Sequence, residues 1–136
     1  MTDRREFIKQ SAIATAAVGV APGLLNACAS PAEQVNVALI GCRSMGFNNL
    51  KSFLRKENNV TCVALCDVDS RVLEEKAAEV EKMTGKRPLT YADFRDVLDN
   101  KDVHAVIIGT PDHWHALMMM MALDAGKHVY VEKPMG

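Results

Sequence analysis

The stretch from Val35 to Gly46, V-N-V-A-L-I-G-C-R-S-M-G, constrains the fold of this chain more than any other segment. An apolar run carrying the β-branched residues Val35, Val37 and Ile40 meets Gly41, and a second glycine follows at Gly46. This order predicts a strand, a tight turn and a helix. Such a turn aims backbone N–H groups and the positive end of a helix dipole at one point, where a pyrophosphate fits. The dinucleotide-binding pattern is G-x-G-x-x-G. Here Gly41-Cys42-Arg43-Ser44-Met45-Gly46 carries arginine in place of the middle glycine. That glycine lets the backbone approach the pyrophosphate closely; the Arg43 guanidinium offers a charge-assisted contact to phosphate instead. Two glycines alone do not define a site, so the rest of the chain has to supply the context.

After Gly46, Phe47, Leu50 and Leu54 share one helical face, with Phe53 beside them. Residues 60–66 form a nearly continuous apolar run, the pattern of a strand covered on both faces. It ends at Asp67, 21 residues after Gly46. In a strand–helix–strand unit that position faces an adenosine ribose, where a carboxylate accepts hydrogen bonds from the hydroxyls. It also repels a 2′-phosphate, which favours NAD over NADP. Asp67 could instead cap the helix predicted over 70–84, but Asp69 or Ser70 suits that role better. Val72, Leu73, Ala77, Val80 and Met83 face inward on this helix, which stops at Gly85. A short third strand is predicted over 88–90 and an amphipathic helical segment over 91–98, burying Phe94, Val97 and Leu98. Residues 103–108 read as a buried strand followed by Gly109-Thr110-Pro111. Thr110 can cap the next helix and Pro111 suits its first turn. Gly126 ends it, and the strand over 127–131 delivers Glu132-Lys133-Pro134 at its carboxyl end. The alternation predicts an α/β fold, a Rossmann-type doubly wound parallel sheet, incomplete at its C-terminal edge.

Composition narrows the partners. A net charge of −1 provides no basic field for nucleic acid, and 136 residues suffice for one small domain. His113 and His115 are two apart, so on a helix they point about 200° from each other and no metal site is expected. Cys42, Cys62 and Cys66 lack metal-ligand spacing and are odd in number, which reads as small buried side chains rather than a disulfide framework. Met118 to Met121 read as ordinary helix, with two of the four on the sheet.

Residues 1–30 read as an export signal. Asp3-Arg4-Arg5-Glu6-Phe7-Ile8-Lys9 precedes a weakly apolar run from Ser11 to Leu25 and is similar to the bacterial twin-arginine signal. The run is too short and too poor in strongly apolar residues for a membrane anchor; a surface helix or a tail is the other reading. Leu25-Asn26-Ala27-Cys28 resembles a lipoprotein signal with Cys28 acylated, against simple cleavage or no processing. The expected location is exported, periplasmic or held to the membrane by signal or lipid.

Taken together, the glycine turn, Cys66-Asp67-Val68-Asp69, Gly109-Thr110-Pro111-Asp112-His113-Trp114-His115 and Ala125 to Pro134 resemble the glucose–fructose oxidoreductase/inositol dehydrogenase family (Gfo/Idh/MocA) over 35–136. The resemblance implies an NAD-binding domain in which Gly41, Arg43, Ser44, Met45 and Gly46 meet the pyrophosphate and Asp67 holds the ribose. It further implies that Thr110 to His115, with Thr110, Pro111, His113 and His115 among them, line the cofactor channel. Glu132, Lys133 and Pro134 would border it, with Lys133 reaching nicotinamide and substrate as the catalytic residue and a cis bond before Pro134; a Lys133–Glu132 salt bridge is the other role for that lysine. Family members continue into a substrate-binding domain, so this chain is expected to be a fragment without it.

The implied activity is that of an exported NAD-dependent oxidoreductase acting on a sugar or polyol. Because free NAD is scarce outside the cytoplasm, the cofactor would travel bound, which favours redox-neutral chemistry or NAD-dependent glycoside cleavage. The alternative is a non-catalytic dinucleotide-binding fragment or interaction module. A methyl-donor site is disfavoured because E-K-P has no role in one, and oligomeric state is left open. Replacing Arg4 and Arg5 by lysine in a bacterial host is expected to keep the protein in the cytoplasm. Normal secretion of that variant, followed by cell fractionation, would point to another route.

Overall fold

A computed structural model describes residues 34–134, so the signal over 1–30 and the expectation for Cys28 lie outside the described residues. Within them the elements alternate as the sequence predicts. They are β1 (Val35–Ile40), α1 (Ser44–Lys56), β2 (Val60–Cys66), α2 (Ser70–Thr84) and β3 (Leu89–Tyr91). Then follow α3 (Phe94–Asp99), β4 (Ala105–Ile108), a 3-10 turn (Asp112–Trp114), α4 (His115–Asp124) and β5 (His128–Val131). The strands form one parallel sheet in the order β3-β2-β1-β4-β5.

Side chains two apart on a strand share a face, and β1 uses both faces. Val37 and Leu39 pack with Phe47 and Leu50 of α1 and with Leu73, Ala77 and Val80 of α2. Ala38 and Ile40 pack with Phe94 and Val97 of α3 and with Met118 and Ala122 of α4. Helices on both faces explain why β1, β2 and β4 read as continuous apolar runs rather than alternating ones.

The strands end in register. Ile40 pairs with Cys66 and with Ile108, Cys66 with Tyr91, and Ile108 with Val131. The next residues, Gly41, Asp67, Ala92, Gly109 and Glu132, therefore leave the sheet along one edge.

Three local expectations are corrected. The third strand runs to Tyr91, one residue beyond the predicted end, so Tyr91 belongs to the sheet and α3 starts at Phe94 behind an Asp93 cap, whose Oδ1 accepts the Arg95 N–H at 2.9 Å. Thr110 does not cap a helix: its Oγ1 donates to Met118 Sδ at 3.7 Å, and a 3-10 turn precedes α4. Of the four methionines, Met118 is buried, Met119 and Met121 also pack toward the sheet, and Met120 is exposed.

Three glycines join the first turn to the end of β4. Gly41 has φ of 88°, and a Cβ there would lie 2.7 Å from the Gly109 carbonyl carbon. A Cβ on Gly109 would lie 2.5 Å from Gly46 Cα. Backbone meets backbone at this contact, so relief requires the turn and the strand to separate. Gly109→Ala is expected to lower stability by ~1–3 kcal/mol, the scale of overpacking a core. Urea unfolding of the variant measures this, and unchanged stability would mean the two backbones part freely.

Candidate functional site

The residues leaving β1, β2 and β4 surround a cleft of about 600 Å³. It lies at the carboxyl ends of the strands where the chain order reverses about β1, the place at which open α/β sheets take ligands. Gly41, Arg43, Ser44 and Met45 form one wall; Asp67 and Val68 a second; Thr110, Pro111 and Trp114 a third. Phe94 and Met118 also line it. Ser44 itself adopts φ of 32°, a value uncommon outside glycine.

The start of α1 differs from those of α2 and α3, while α4 likewise lacks a side-chain cap. Asp69 caps α2 by accepting the Arg71 N–H, and Asp93 caps α3 in the same way. Arg43, at the cap of α1, makes no side-chain cap bond, and the first turn of α1 carries no acidic residue. Its leading N–H groups thus lack a side-chain acceptor at the wall of the cleft. That suits an anion supplied from outside.

Asp67 is not left entirely free for a ligand. Its Oδ2 accepts the Cys42 N–H at 2.9 Å and its Oδ1 accepts the Asp69 N–H at 3.0 Å. The carboxylate thereby ties the first turn to the second and is held in place at the cleft wall. Each oxygen keeps a further lone pair for a hydroxyl donor. Arg43 reaches sideways across the cleft mouth rather than over the glycine turn, with Nη2 2.7 Å from Asp69 Oδ2. The Arg71 N–H, followed by its guanidinium, holds Asp69 below the usual carboxylate range, so a fixed negative charge stands there for Arg43.

Other expected residues lie elsewhere. Gly46 is buried against Gly41 and Gly109 beneath the turn. His113 is exposed, its ring 5.9 Å from that of Trp114. His115 does not line the cleft. It is buried, with Nε2 2.8 Å from the Thr110 carbonyl and Nδ1 2.8 Å from the Pro134 carbonyl. The reason is helical phase: His115, Met118 and Ala122 form the buried stripe of α4. His115 therefore fastens Pro134 to the loop after β4. The bond between Lys133 and Pro134 is cis, as the resemblance implies.

Glu132 bonds with Asn49 Nδ2, and the Tyr130 hydroxyl donates to it at 3.5 Å. It forms no salt bridge with Lys133, which is exposed and outside the cleft lining. Among the described residues, no group of three His, Cys, Asp or Glu is placed to hold a metal, and no helix is long and apolar enough to cross a membrane.

Sequence reasoning missed Phe94, Met118 and the partner of Arg43. Phe94 and Met118 read as core from their helical spacing, and they are core; they also edge the cleft. Asp69 was legible as a cap, but no spacing rule pairs it with Arg43.

A parallel sheet in this order, with a glycine turn and an acid at the tip of the second strand, defines a dinucleotide-binding Rossmann domain. Residues 35–136 match the oxidoreductase family with an NAD-binding Rossmann fold, Gfo/Idh/MocA, and the chain belongs to that family. It is 34% identical to a glycosyl hydrolase family 109 protein of Shewanella baltica, over 97% of this chain and 33% of the relative. An α-N-acetylgalactosaminidase of Shewanella oneidensis is 30% identical with the same coverage. The solved scyllo-inositol dehydrogenase from Lactobacillus casei, with bound NAD(H) and scyllo-inositol, is 26% identical with a TM-score of 0.68, covering 76% of this chain and 29% of that one. The chain thus spans about a third of the length of the curated relatives it matches.

Burial pushes the thiols of Cys42, Cys62 and Cys66 up from 9.0 to about 12, with Asp67 adding to the effect at Cys42 and Cys66. Unfolded, these thiols ionise near 9.0; folded, near 12. The stability this provides is complete below the lower value and is lost as pH rises toward the upper one. Unfolding free energy is therefore expected to fall as pH rises from about 9 toward about 12. Iodoacetamide at the lower pH, mapped by mass spectrometry, should leave all three unmodified in the folded chain.

Proposed function

We propose that this chain is the NAD-binding unit of an exported oxidoreductase acting on a sugar or polyol, with redox-neutral transfer or NAD-dependent glycoside cleavage as its chemistry. The observation that carries the reading is the convergence of two unlike features on one cleft. The α1 start offers N–H groups with no side-chain cap, and Asp67 presents a carboxylate anchored to the turn that leads into it. A dinucleotide demands that pairing, since its pyrophosphate is an anion and its ribose a hydroxyl donor.

In this reading the first turn of α1 holds the pyrophosphate, while Asp67 accepts from the ribose and disfavours a 2′-phosphate. Gly41 and Gly109 keep the approach clear of side chains. The bound nicotinamide supplies hydride acceptance and return. Lys133 meets it with substrate in the whole protein, held by the His115 bond to the Pro134 carbonyl. The names of the relatives favour a polyhydroxylated ring: one is a glycosidase acting at N-acetylgalactosamine, another an inositol dehydrogenase. Export rests on the Arg4-Arg5-Glu6-Phe7-Ile8-Lys9 pattern of the sequence. A dinucleotide-binding module without turnover is the second reading, favoured by the place of Lys133 outside the cleft lining.

Calorimetric titration of the full chain is expected to show NAD bound in preference to NADP. Asp67→Ala should weaken NAD binding by about 1–3 kcal/mol and narrow the gap between the two dinucleotides. An unchanged preference would take Asp67 out of the site.

A further inference from the structure

Arg43 stands where the dinucleotide pattern has its middle glycine, so its side chain is rooted at the mouth of the cleft. Its Nη2 lies 2.7 Å from Asp69 Oδ2. Arg71 approaches the same carboxylate, with Nε 3.5 Å from Oδ1 and Nη2 3.5 Å from Oδ2. The Asp69 N–H in turn donates to Asp67 Oδ1 at 3.0 Å, which binds this cluster to the carboxylate assigned to the ribose. Two guanidinium groups thus converge two residues from Asp67. Unpaired, they would form a site for a phosphate, since forked donors match phosphate oxygens well. Released, two such cations beside Asp67 would offset the repulsion that its charge offers a 2′-phosphate.

We infer that Asp69 is a specificity-determining residue, which keeps the cleft for NAD by holding the guanidinium groups of Arg43 and Arg71 away from a 2′-phosphate. The inference rests on the reading of the cleft as a dinucleotide site and adds a second determinant to Asp67. It also assigns the arginine a role at the position of the missing glycine. Arg43 spans the first and second turns and closes the adenosine end of the cleft, and Asp69 latches it there.

The short contacts of Asp69 fall on different oxygens, with Arg71 also 3.5 Å from each. Oδ1 accepts the Arg71 N–H at 3.0 Å and caps α2, while Oδ2 takes Arg43. Asp69→Asn keeps a capping oxygen, since asparagine caps as well as aspartate, and turns an amide N–H₂ toward Arg43 that cannot accept from it. The latch opens and the helix start survives. Asp69→Ser is a second variant that keeps a capping oxygen without the charge.

The full chain, Asp69→Asn, Asp69→Ser, Arg43→Gln and the double variant Asp69→Asn/Arg43→Gln are titrated with NAD and with NADP at two salt concentrations. Either Asp69 variant is expected to raise the affinity for NADP relative to NAD by about tenfold or more, the scale of one charge-assisted hydrogen bond. The gain should shrink with added salt, and Arg43→Gln in the double variant should remove most of it. NAD binding without any gain for NADP in either Asp69 variant would overturn the inference and leave the site reading standing. A gain untouched by Arg43→Gln would overturn the latch. Absence of NAD binding to the unsubstituted chain would overturn the reading of the cleft and the inference with it.

Discussion

The contact between three glycine backbones is the constraint on which the rest of this structure depends. Gly41 turns the chain out of β1 with a positive φ, Gly46 starts the buried side of α1, and Gly109 ends β4 against both. No side chain fits between them. The closeness sets how near α1 lies to the sheet, and so where the first helical turn points. A methyl group at Gly109 would push the first turn of α1 away from the strand that leads into Thr110 and Pro111.

Parallel pairing then does the positioning. Because Ile40, Cys66, Tyr91, Ile108 and Val131 form one row, residues far apart in the chain emerge side by side. Gly41, Asp67, Gly109 and Thr110 reach one cleft for this reason, although 69 positions separate Gly41 from Thr110. The register is specified strongly, since a slip by one residue would turn every apolar side chain of β1 to the wrong helix layer.

Electrostatics divides the helix starts into two kinds. Asp69 and Asp93 satisfy the first N–H groups of α2 and α3 from within the chain. α1 has no such carboxylate, and the acid that stands near it, Asp67, bonds to the backbone of Cys42 instead. The arrangement leaves a positive helix end and an anchored negative group side by side at one opening. The same aspartates also order the rim, where Arg43 and Arg95 fold back onto Asp69 and Asp93.

The sequence by itself determined the layered α/β class, the order of strands and helices, the helix stop at Gly85 and the place of Asp67 at a strand tip, while it left the α2 cap open between Asp69 and Ser70 and began α3 and α4 several residues early. These follow from local rules: apolar period, the left-handed freedom of glycine at φ 74°, and the reach of a short carboxylate to a nearby N–H. Tertiary structure decided what each side chain meets. His115 looked like a channel residue beside His113, but helical phase buried it between two carbonyl groups that the sheet brings together from Thr110 and Pro134. Arg43 looked like a phosphate ligand, yet the nearest fixed anion belongs to a turn 26 residues away. Gly109 stood in the sequence as the start of the Gly109-Thr110-Pro111 motif, but its need for a bare Cα comes from Gly46, which approaches it only when β1 and β4 pair. Contacts between elements depend on where whole strands lie relative to one another, and no local spacing in the chain encodes that distance.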